Sequence, residues 1–158
     1  MSNKQPVLNY YELSSDVTAF STTRHGGVSD GNYASLNINE YCGDSKDNTD
    51  TNRQLLATEL DIDANHIIMP HQTHGVETRI IGKEFLSLPE SVKKMLLEGV
   101  DAVMTDIQGI CIGVSTADCI PVLLYDEEHH AAAAIHAGWR GTLARIVHKL
   151  SLIHISEP

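Results

Sequence analysis

The sequence predicts an α+β fold, and three observations support that prediction. Apolar segments of strand length follow one another closely in the second half of the chain, which favours antiparallel or mixed pairing over βαβ units. Apolar residues at helical spacing are confined to a few separate segments. A chain of 158 residues with 42% hydrophobic content can form an ordinary core. Because no repeat or linker interrupts the chain, we expect a single domain over residues 1–150.

The first half of the chain predicts a mixture of short strands and helices. Residues 17–23 are rich in β-branched side chains and stop at a glycine turn, which predicts a strand. Residues 45–60 open with capping residues and continue with apolar side chains at helical spacing, which predicts a helix. Apolar segments predict strands at 66–69 and 76–81. A short helix is expected at 89–98, with Pro89 near its first turn.

The second half predicts four strands followed by a helix. The strands are expected at residues 100–105, 110–115, 120–125 and 131–136. The acidic segment 126–130 is expected to join the last two strands as a hairpin. Apolar residues at spacings of three and four then predict a helix that begins near Gly141 and reaches Leu150.

Charge and cysteine content exclude several classes of protein. Eleven Lys and Arg against 21 Asp and Glu give a formal net charge of -10, which disfavours nucleic acid and anionic membrane surfaces as partners. Because no apolar stretch follows the first residues, we expect neither a signal peptide nor a transmembrane segment. Three cysteines without clustered spacing argue against a secreted disulfide framework. We therefore expect a cytoplasmic protein with free thiols.

Three short segments each place a strong metal ligand at the edge of an apolar strand, beside small residues or a turn. A cysteine and two histidines suit zinc, and three protein ligands leave a fourth position for water or substrate, as in catalytic sites. The residues alone leave simpler interpretations open, in which Cys119 is an inert thiol, His136 a core histidine and His74 a turn residue. The segments are His71-Gln72-Thr73-His74-Gly75, Ser115-Thr116-Ala117-Asp118-Cys119-Ile120-Pro121 and His136-Ala137-Gly138-Trp139-Arg140-Gly141.

These segments resemble the signature of the YfiH-like family, which is also described as a laccase-domain, polyphenol oxidase, peptidoglycan editing factor or purine nucleoside phosphorylase family. An upstream element of the family is matched by residues 22–29, Tyr33 and the pair Leu36-Asn37. The four ordered matches cover nearly all of residues 17–150. The resemblance implies a sandwich of mixed β-sheets flanked by helices.

The resemblance also implies the chemistry of the site. It implies that His74, Cys119 and His136 bind one Zn²⁺ ion in the catalytic centre. Asp118 lies next to a ligand, and we expect it to orient that ligand or carry a proton, although an aspartate here could also simply form the turn. The implied reactions are phosphorolysis of adenosine, inosine and 5′-methylthioadenosine, and deamination of adenosine. We expect purine nucleosides and phosphate as the partners of the protein. Substrate-binding residues are expected at Arg24, Asn37, His71 and Arg140, because guanidinium groups suit phosphate and histidine can move protons.

Two other enzyme functions remain open on the sequence, beside a non-enzymatic binding role. A copper-dependent polyphenol oxidase is one, since copper could occupy a site of one cysteine and two histidines, although no His-x-His pair of the multicopper type occurs here. A metal-free cysteine hydrolase is the other, with Cys119 as nucleophile and His136 as base.

The end of the chain departs from the family pattern. Family members continue well beyond the last predicted helix, so we expect that the C-terminal part of the domain, roughly a third of it, is missing and that the fragment is inactive or poorly folded by itself. Residues 151–158 resemble a translated sequencing adapter, which predicts a non-native tail.

Overall fold

The computed structural model of the protein describes residues 4–155. The chain divides after Ile67 into two compact units, and each is described by itself. The prediction of a single domain over residues 1–150 stays a prediction. No helix in the described range is both long and apolar enough to cross a membrane.

The first unit consists of a β-hairpin, a loop region and one long helix. Strands β1 (Leu8–Ser14) and β2 (Val17–Thr22) pair antiparallel, and helix α1 spans Lys46–Leu60. Strand β2 and helix α1 lie where the sequence predicts them. Strand β1 was not predicted, because its residues are almost all exposed and show no alternation of apolar and polar side chains.

A buried asparagine of α1 connects this helix to the loops of the first unit. Asn52 has no exposed surface. Its amide oxygen accepts from the backbone N–H of Val28 at 2.8 Å, and its amide nitrogen donates to Ser29 Oγ and to the carbonyl oxygens of Ser35 and Asn37. The side chain therefore satisfies backbone groups that the loops themselves leave unpaired.

The second unit is built on a four-stranded mixed sheet in the order β4-β5-β8-β7. Strand β4 (Glu77–Ile80) runs parallel to β5 (Val100–Thr105), and β5 runs antiparallel to β8 (Ala131–Ala137), which pairs antiparallel with β7 (Ile120–Asp126). The hairpin of β7 and β8 forms as predicted. The α+β class with mixed pairing is confirmed.

Helices cover both faces of this sheet. On one face, Val103 and Ala134 pack in a cluster with Phe85 of helix α2 (Lys83–Leu86) and Leu97 of helix α3 (Glu90–Leu97). On the other face, Ala102 and Ile135 pack with Ile146 and Leu150 of helix α5 (Ile146–Ile155). Every residue of β5 is buried, as expected for a central strand covered on both sides.

Three predicted elements differ from the structure. The strands expected at 66–69 and 110–115 shorten to β3 (Ile67–Ile68) and β6 (Cys111–Ile112), which pair with each other. The helix expected over 141–150 is two helices, α4 (Trp139–Leu143) and α5. The break lies at Arg145, whose φ of 62° is left-handed and ends the helical hydrogen-bonding pattern.

The predicted non-native tail only partly overlaps the described residues. The backbone of α5 stays helical through Ile155, and residues 156–158 lie outside the described residues. The non-native origin of residues 151–158 stays a prediction.

Candidate metal site

The strand register of the second unit brings several chain segments to one end of the sheet. One step beyond the Ala102–Ile135 pair, the register of β5 and β8 places Asp101 opposite His136. One step beyond the Ile120–Ala137 pair, the register of β7 and β8 places Cys119 opposite Gly138. Strand β4 also begins at this end, since its Glu77 pairs with Val100.

His74, Cys119 and His136 meet at this end of the sheet. Their nearest available ligand atoms all lie within 4.8 Å of one another, and the two imidazole rings stand edge to face with centroids 4.8 Å apart. Ligands at 2.0–2.3 Å from a tetrahedral ion are separated from one another by about 3.4–3.8 Å. The ligand atoms of these three side chains must therefore move by about 1 Å to bind one zinc ion. Within the part of the chain that the structure describes, this is the one such group of histidine, cysteine and carboxylate side chains that could hold a metal.

The three side chains differ in burial. His136 is buried, Cys119 is half-buried and His74 is exposed. The site is therefore anchored in the sheet on one side and accessible on the other. An accessible fourth position is what a catalytic metal site needs, whereas a structural site closes its fourth position with another protein ligand.

Asp101 is a buried carboxylate behind the two histidines. Its side chain has no exposed surface. One oxygen, Oδ1, lies 2.8 Å from His136 Nδ1 and accepts from the backbone N–H of His74 at 2.9 Å. The other, Oδ2, accepts from the backbone N–H of Thr73 at 3.3 Å and of Gly75 at 2.8 Å. Three backbone N–H groups and one imidazole nitrogen thus surround this buried carboxylate.

An irregularity in the β4–β5 pairing accompanies this arrangement. The register shifts between Glu77 and Thr78, so that Val100 and Ala102 are paired and Asp101 between them is the extra residue. Such bulges redirect a side chain relative to a regular strand. The turn that Asp101 holds contains His74 with a left-handed φ of 62°.

Gln72 holds the segment that leads to Cys119. Its amide nitrogen donates to the carbonyl of Ser115 at 2.7 Å, and its amide oxygen accepts from the backbone N–H of Ser115 at 2.6 Å. One side chain thus makes the pair of hydrogen bonds that a neighbouring strand would make, and it ties the His74 turn to the Cys119 loop.

Gly138 lies against all three candidate ligands. A Cβ atom at this position would be 3.1 Å from His74 Cδ2, 3.4 Å from Cys119 Sγ and 3.6 Å from His136 Cε1. Its φ of −68° and ψ of 167° are open to any residue. Space, and not backbone conformation, is what favours glycine here.

The other residues predicted for the site occupy different surroundings. Asp118 is exposed beside Cys119, and Arg140 is exposed with its guanidinium carbon 5.2 Å from the centre of the Trp139 ring. His71 Nδ1 lies 2.9 Å from both carboxylate oxygens of Glu98. The structure thus keeps Asp118, Arg140 and His71 in the second unit, and their catalytic and binding roles stay predictions.

Arg24 and Asn37 lie in the first unit, where both make hydrogen bonds within that unit. Arg24 Nε donates to the carbonyl of Ala34 at 2.9 Å. The amide nitrogen of Asn37 donates to Asp44 Oδ2 at 2.9 Å. Hydrogen bonds from Ser29 and from Asn37 lower the pKa of Asp44 below its usual value. The substrate-binding roles of Arg24 and Asn37 stay predictions.

Sequence reasoning missed the supporting roles of Asp101, Gln72 and Gly138. Asp101 carried a signal, since it is the only charged residue in a strand that otherwise reads as apolar. A buried charge needs partners, so its presence in a central strand predicts a specific polar site. The glutamine and the glycine lie in the recognised motifs, but their contacts depend on the three-dimensional register.

The described residues define an α+β protein with a cluster of one cysteine and two histidines at one end of a mixed sheet. The chain belongs to the family described as multi-copper polyphenol oxidoreductase laccase, whose profile matches residues 18–153. It is 46% identical over 143 residues to a purine nucleoside phosphorylase of Bacteroides thetaiotaomicron, covering 89% of this chain and 53% of the relative. It is 42% identical over 141 residues to adenosine deaminase RL5 of an unknown prokaryotic organism, with 88% and 53% covered.

Solved structures show the same fold. The protein YfiH of Bacillus licheniformis superposes with a TM-score of 0.80 at 27% identity, over 88% of this chain and 52% of that protein. The chain thus spans about half the length of the curated relatives it matches, less than the two thirds that the sequence resemblance implied.

Proposed function

We propose that this chain belongs to a zinc-dependent enzyme that phosphorolyses purine nucleosides and also deaminates adenosine. The observation that carries the proposal is the convergence of His74, Cys119 and His136 on one centre. The names of the two relatives, a purine nucleoside phosphorylase and an adenosine deaminase, support the two reactions. Adenosine, inosine and 5′-methylthioadenosine are the proposed substrates, with phosphate as the second reactant.

The donor set fits zinc. A thiolate sulfur and two imidazole nitrogens are ligands that zinc accepts in tetrahedral geometry, and His74, Cys119 and His136 would hold it. When bound, zinc supplies a Lewis acid that lowers the pKa of a coordinated water and polarises substrate groups. The exposed side of the site, at His74, leaves room for a substrate to reach it.

The chain's own residues contribute binding and proton transfer in this proposal. Asp118 is exposed next to Cys119 and could hold a proton near the reacting purine ring. Arg140 is exposed one residue after Trp139, and its guanidinium group suits two phosphate oxygens at once. Exposed Trp139 offers an aromatic face to a purine base. We propose proton transfer for His71 and phosphate binding for Arg24. Asn37 is proposed as a further substrate-binding residue.

Copper-dependent phenol oxidation is the function that the family description names. A multicopper centre needs several clusters of histidine ligands, whereas the residues described here contain one three-residue cluster, and the sequence has no His-x-His pair. A single copper ion could still occupy the same ligands. Metal content therefore separates the two proposals.

A second candidate function follows from the Asp101–His136 hydrogen bond. Cys119, His136 and Asp101 have the order of thiol, imidazole and carboxylate that activates a cysteine nucleophile. In that case the protein would act without metal, and alkylation of Cys119 would abolish activity in the presence of a chelator.

The test is to purify the chain, and a version extended by its natural genomic continuation, from unsupplemented medium. The metal content of both is measured, and the extended version is assayed with adenosine or inosine. The Bacteroides phosphorylase serves as the positive control. We expect about one zinc ion per chain, lost in Cys119→Ala and retained in the control Cys111→Ala. Base release should require phosphate, and ammonia release from adenosine should require the same ligands. Stoichiometric copper, or base release without phosphate, would contradict the proposal.

The cellular location is part of the proposal. Among the described residues, Cys42, Cys111 and Cys119 form no disulfide, which suits a reducing compartment. We therefore propose the cytoplasm.

A further inference from the structure

We propose that Asp101 is the positioning residue of the metal site, and that it prepares both histidine ligands before a metal arrives. The inference rests on the metal-binding part of the proposed function. Its basis is that one buried carboxylate contacts His136 through the imidazole ring and His74 through the backbone.

The first effect of Asp101 is on the His136 ring. A buried carboxylate accepts hydrogen bonds, so the short contact to Nδ1 places the ring proton on Nδ1. The other nitrogen, Nε2, then carries a free lone pair. Only that form of a neutral imidazole can bind a metal through Nε2. Asp101 therefore selects the tautomer of His136 that can act as a ligand.

The second effect is on the turn that carries His74. Three successive backbone N–H groups, at Thr73, His74 and Gly75, all point at the Asp101 carboxylate. Consecutive amides that converge in this way form a concave site for an anion, and the left-handed φ of His74 is part of that geometry. The carboxylate thus stabilises a backbone conformation that a histidine rarely adopts. It thereby fixes the position from which the His74 side chain extends.

The two effects together explain why the two histidines lie close together. Asp101 is held by the β4–β5 irregularity and by complete burial, so its position is fixed by the sheet. His136 and the His74 turn are each fixed to it. A site that is assembled before binding avoids the entropy of ordering its ligands, which raises affinity.

The experiment compares the wild type with Asp101→Asn, and with Asp106→Asn as a matched control at an exposed position just after the same strand. In Asp101→Asn, the backbone N–H groups of Thr73 and Gly75 still require an acceptor. The amide oxygen should turn towards them, which directs the new NH2 group at His136. That group donates to Nδ1 and moves the ring proton to Nε2.

Two measurements follow. Long-range proton–nitrogen NMR of the metal-free proteins, at a pH where histidine is neutral, should show His136 protonated on Nδ1 in the wild type and in Asp106→Asn. In Asp101→Asn it should be protonated on Nε2. The affinity for Zn²⁺, measured by competition with a chromophoric chelator, should fall by about 10- to 100-fold in Asp101→Asn alone. A merely structural role would not change the tautomer.

Each outcome of these two measurements supports or contradicts the positioning role of Asp101. The proposal is wrong if the wild type carries its proton on Nε2, or if Asp101→Asn keeps either the tautomer or the zinc affinity of the wild type. The wild-type spectrum decides it even if Asp101→Asn does not fold. If the wild type binds no Zn²⁺, Cu²⁺ or Co²⁺, the proposed function fails, whereas a tautomer that switches in Asp101→Asn would leave the positioning of His136 standing.

Discussion

A methyl group at Gly138 should weaken metal binding while leaving the fold intact. In Gly138→Ala the new Cβ would lie 3.1 Å from His74 Cδ2 and 3.4 Å from Cys119 Sγ. The free protein can relieve the closer contact by a shift of a few tenths of an ångström, since exposed His74 can move outwards. The metal-bound protein cannot, because its ligands must approach one another by about 1 Å. The cost of overpacking, about 1–3 kcal/mol, therefore falls mainly on the bound state.

That cost corresponds to a dissociation constant for Zn²⁺ raised by about 5- to 150-fold. Stability should change little, because the backbone at Gly138 accepts alanine and loss of glycine reduces the entropy of the unfolded chain. The assays are chelator competition for affinity and thermal unfolding for stability. Gly113→Ala is the matched control, since its Cβ would meet only Met69 Cγ, at an ordinary 3.8 Å. If Gly138→Ala binds zinc within twofold of the wild type, the three side chains do not close on a common ion beside this residue.

Three further predictions concern hydrogen bonds away from the ligands themselves. Gln72→Ala removes both bonds to the Ser115 backbone and should lower the free energy of unfolding by about 1–3 kcal/mol in urea denaturation, whereas an unchanged midpoint would show that water replaces the amide. Asn52→Ala leaves several buried loop groups unpaired and should lower the free energy of unfolding by about 2–4 kcal/mol in the same measurement. A decrease below about 1 kcal/mol would contradict the role given to this side chain. The hydrogen bond with Asp126 raises the pKa of His129 above about 6.5 and lowers that of Asp126, so NMR titration should show a raised His129 midpoint that falls in Asp126→Asn. The stabilisation from this pair is present between about pH 4 and the raised pKa of His129; it is lost as pH rises through that pKa and as Asp126 is protonated at low pH.

The long strands and helices could be predicted from the sequence because their patterns are local. Residues 100–105 and 131–136 are apolar almost throughout, as strands covered on both faces must be. Helix α1 begins after Ser45, a residue type common at helix starts, although its side chain makes no capping hydrogen bond. Strand β1 could not be predicted, because pairing with β2 and not burial maintains it. The break between α4 and α5 was missed for a similar reason, since the apolar spacing continues across Arg145 while its backbone turns left-handed.

The candidate site was predictable only in part. The motifs named His74, Cys119 and His136 through family resemblance, and the structure brings their ligand atoms together. The reason for their convergence is the register of β5, β7 and β8, which no local pattern reveals. The support from Asp101 depends on an irregular residue in β5, and the sequence indicates this only through a charge in an apolar strand.

The three ligands come from separate stretches of the second unit. A metal ion bound to all three would therefore link distant parts of that unit, much as a disulfide does. The stretches between successive ligands are 45 residues (119 − 74) and 17 residues (136 − 119) long. An unfolded chain rarely brings such distant side chains together, so an ion at this site would bind the folded unit far better than the unfolded one. Each tenfold excess of free zinc over its dissociation constant adds about 1.4 kcal/mol to the stability of that unit. The concentration of free zinc would thereby set the stability of the folded second unit, as well as whether the site is filled.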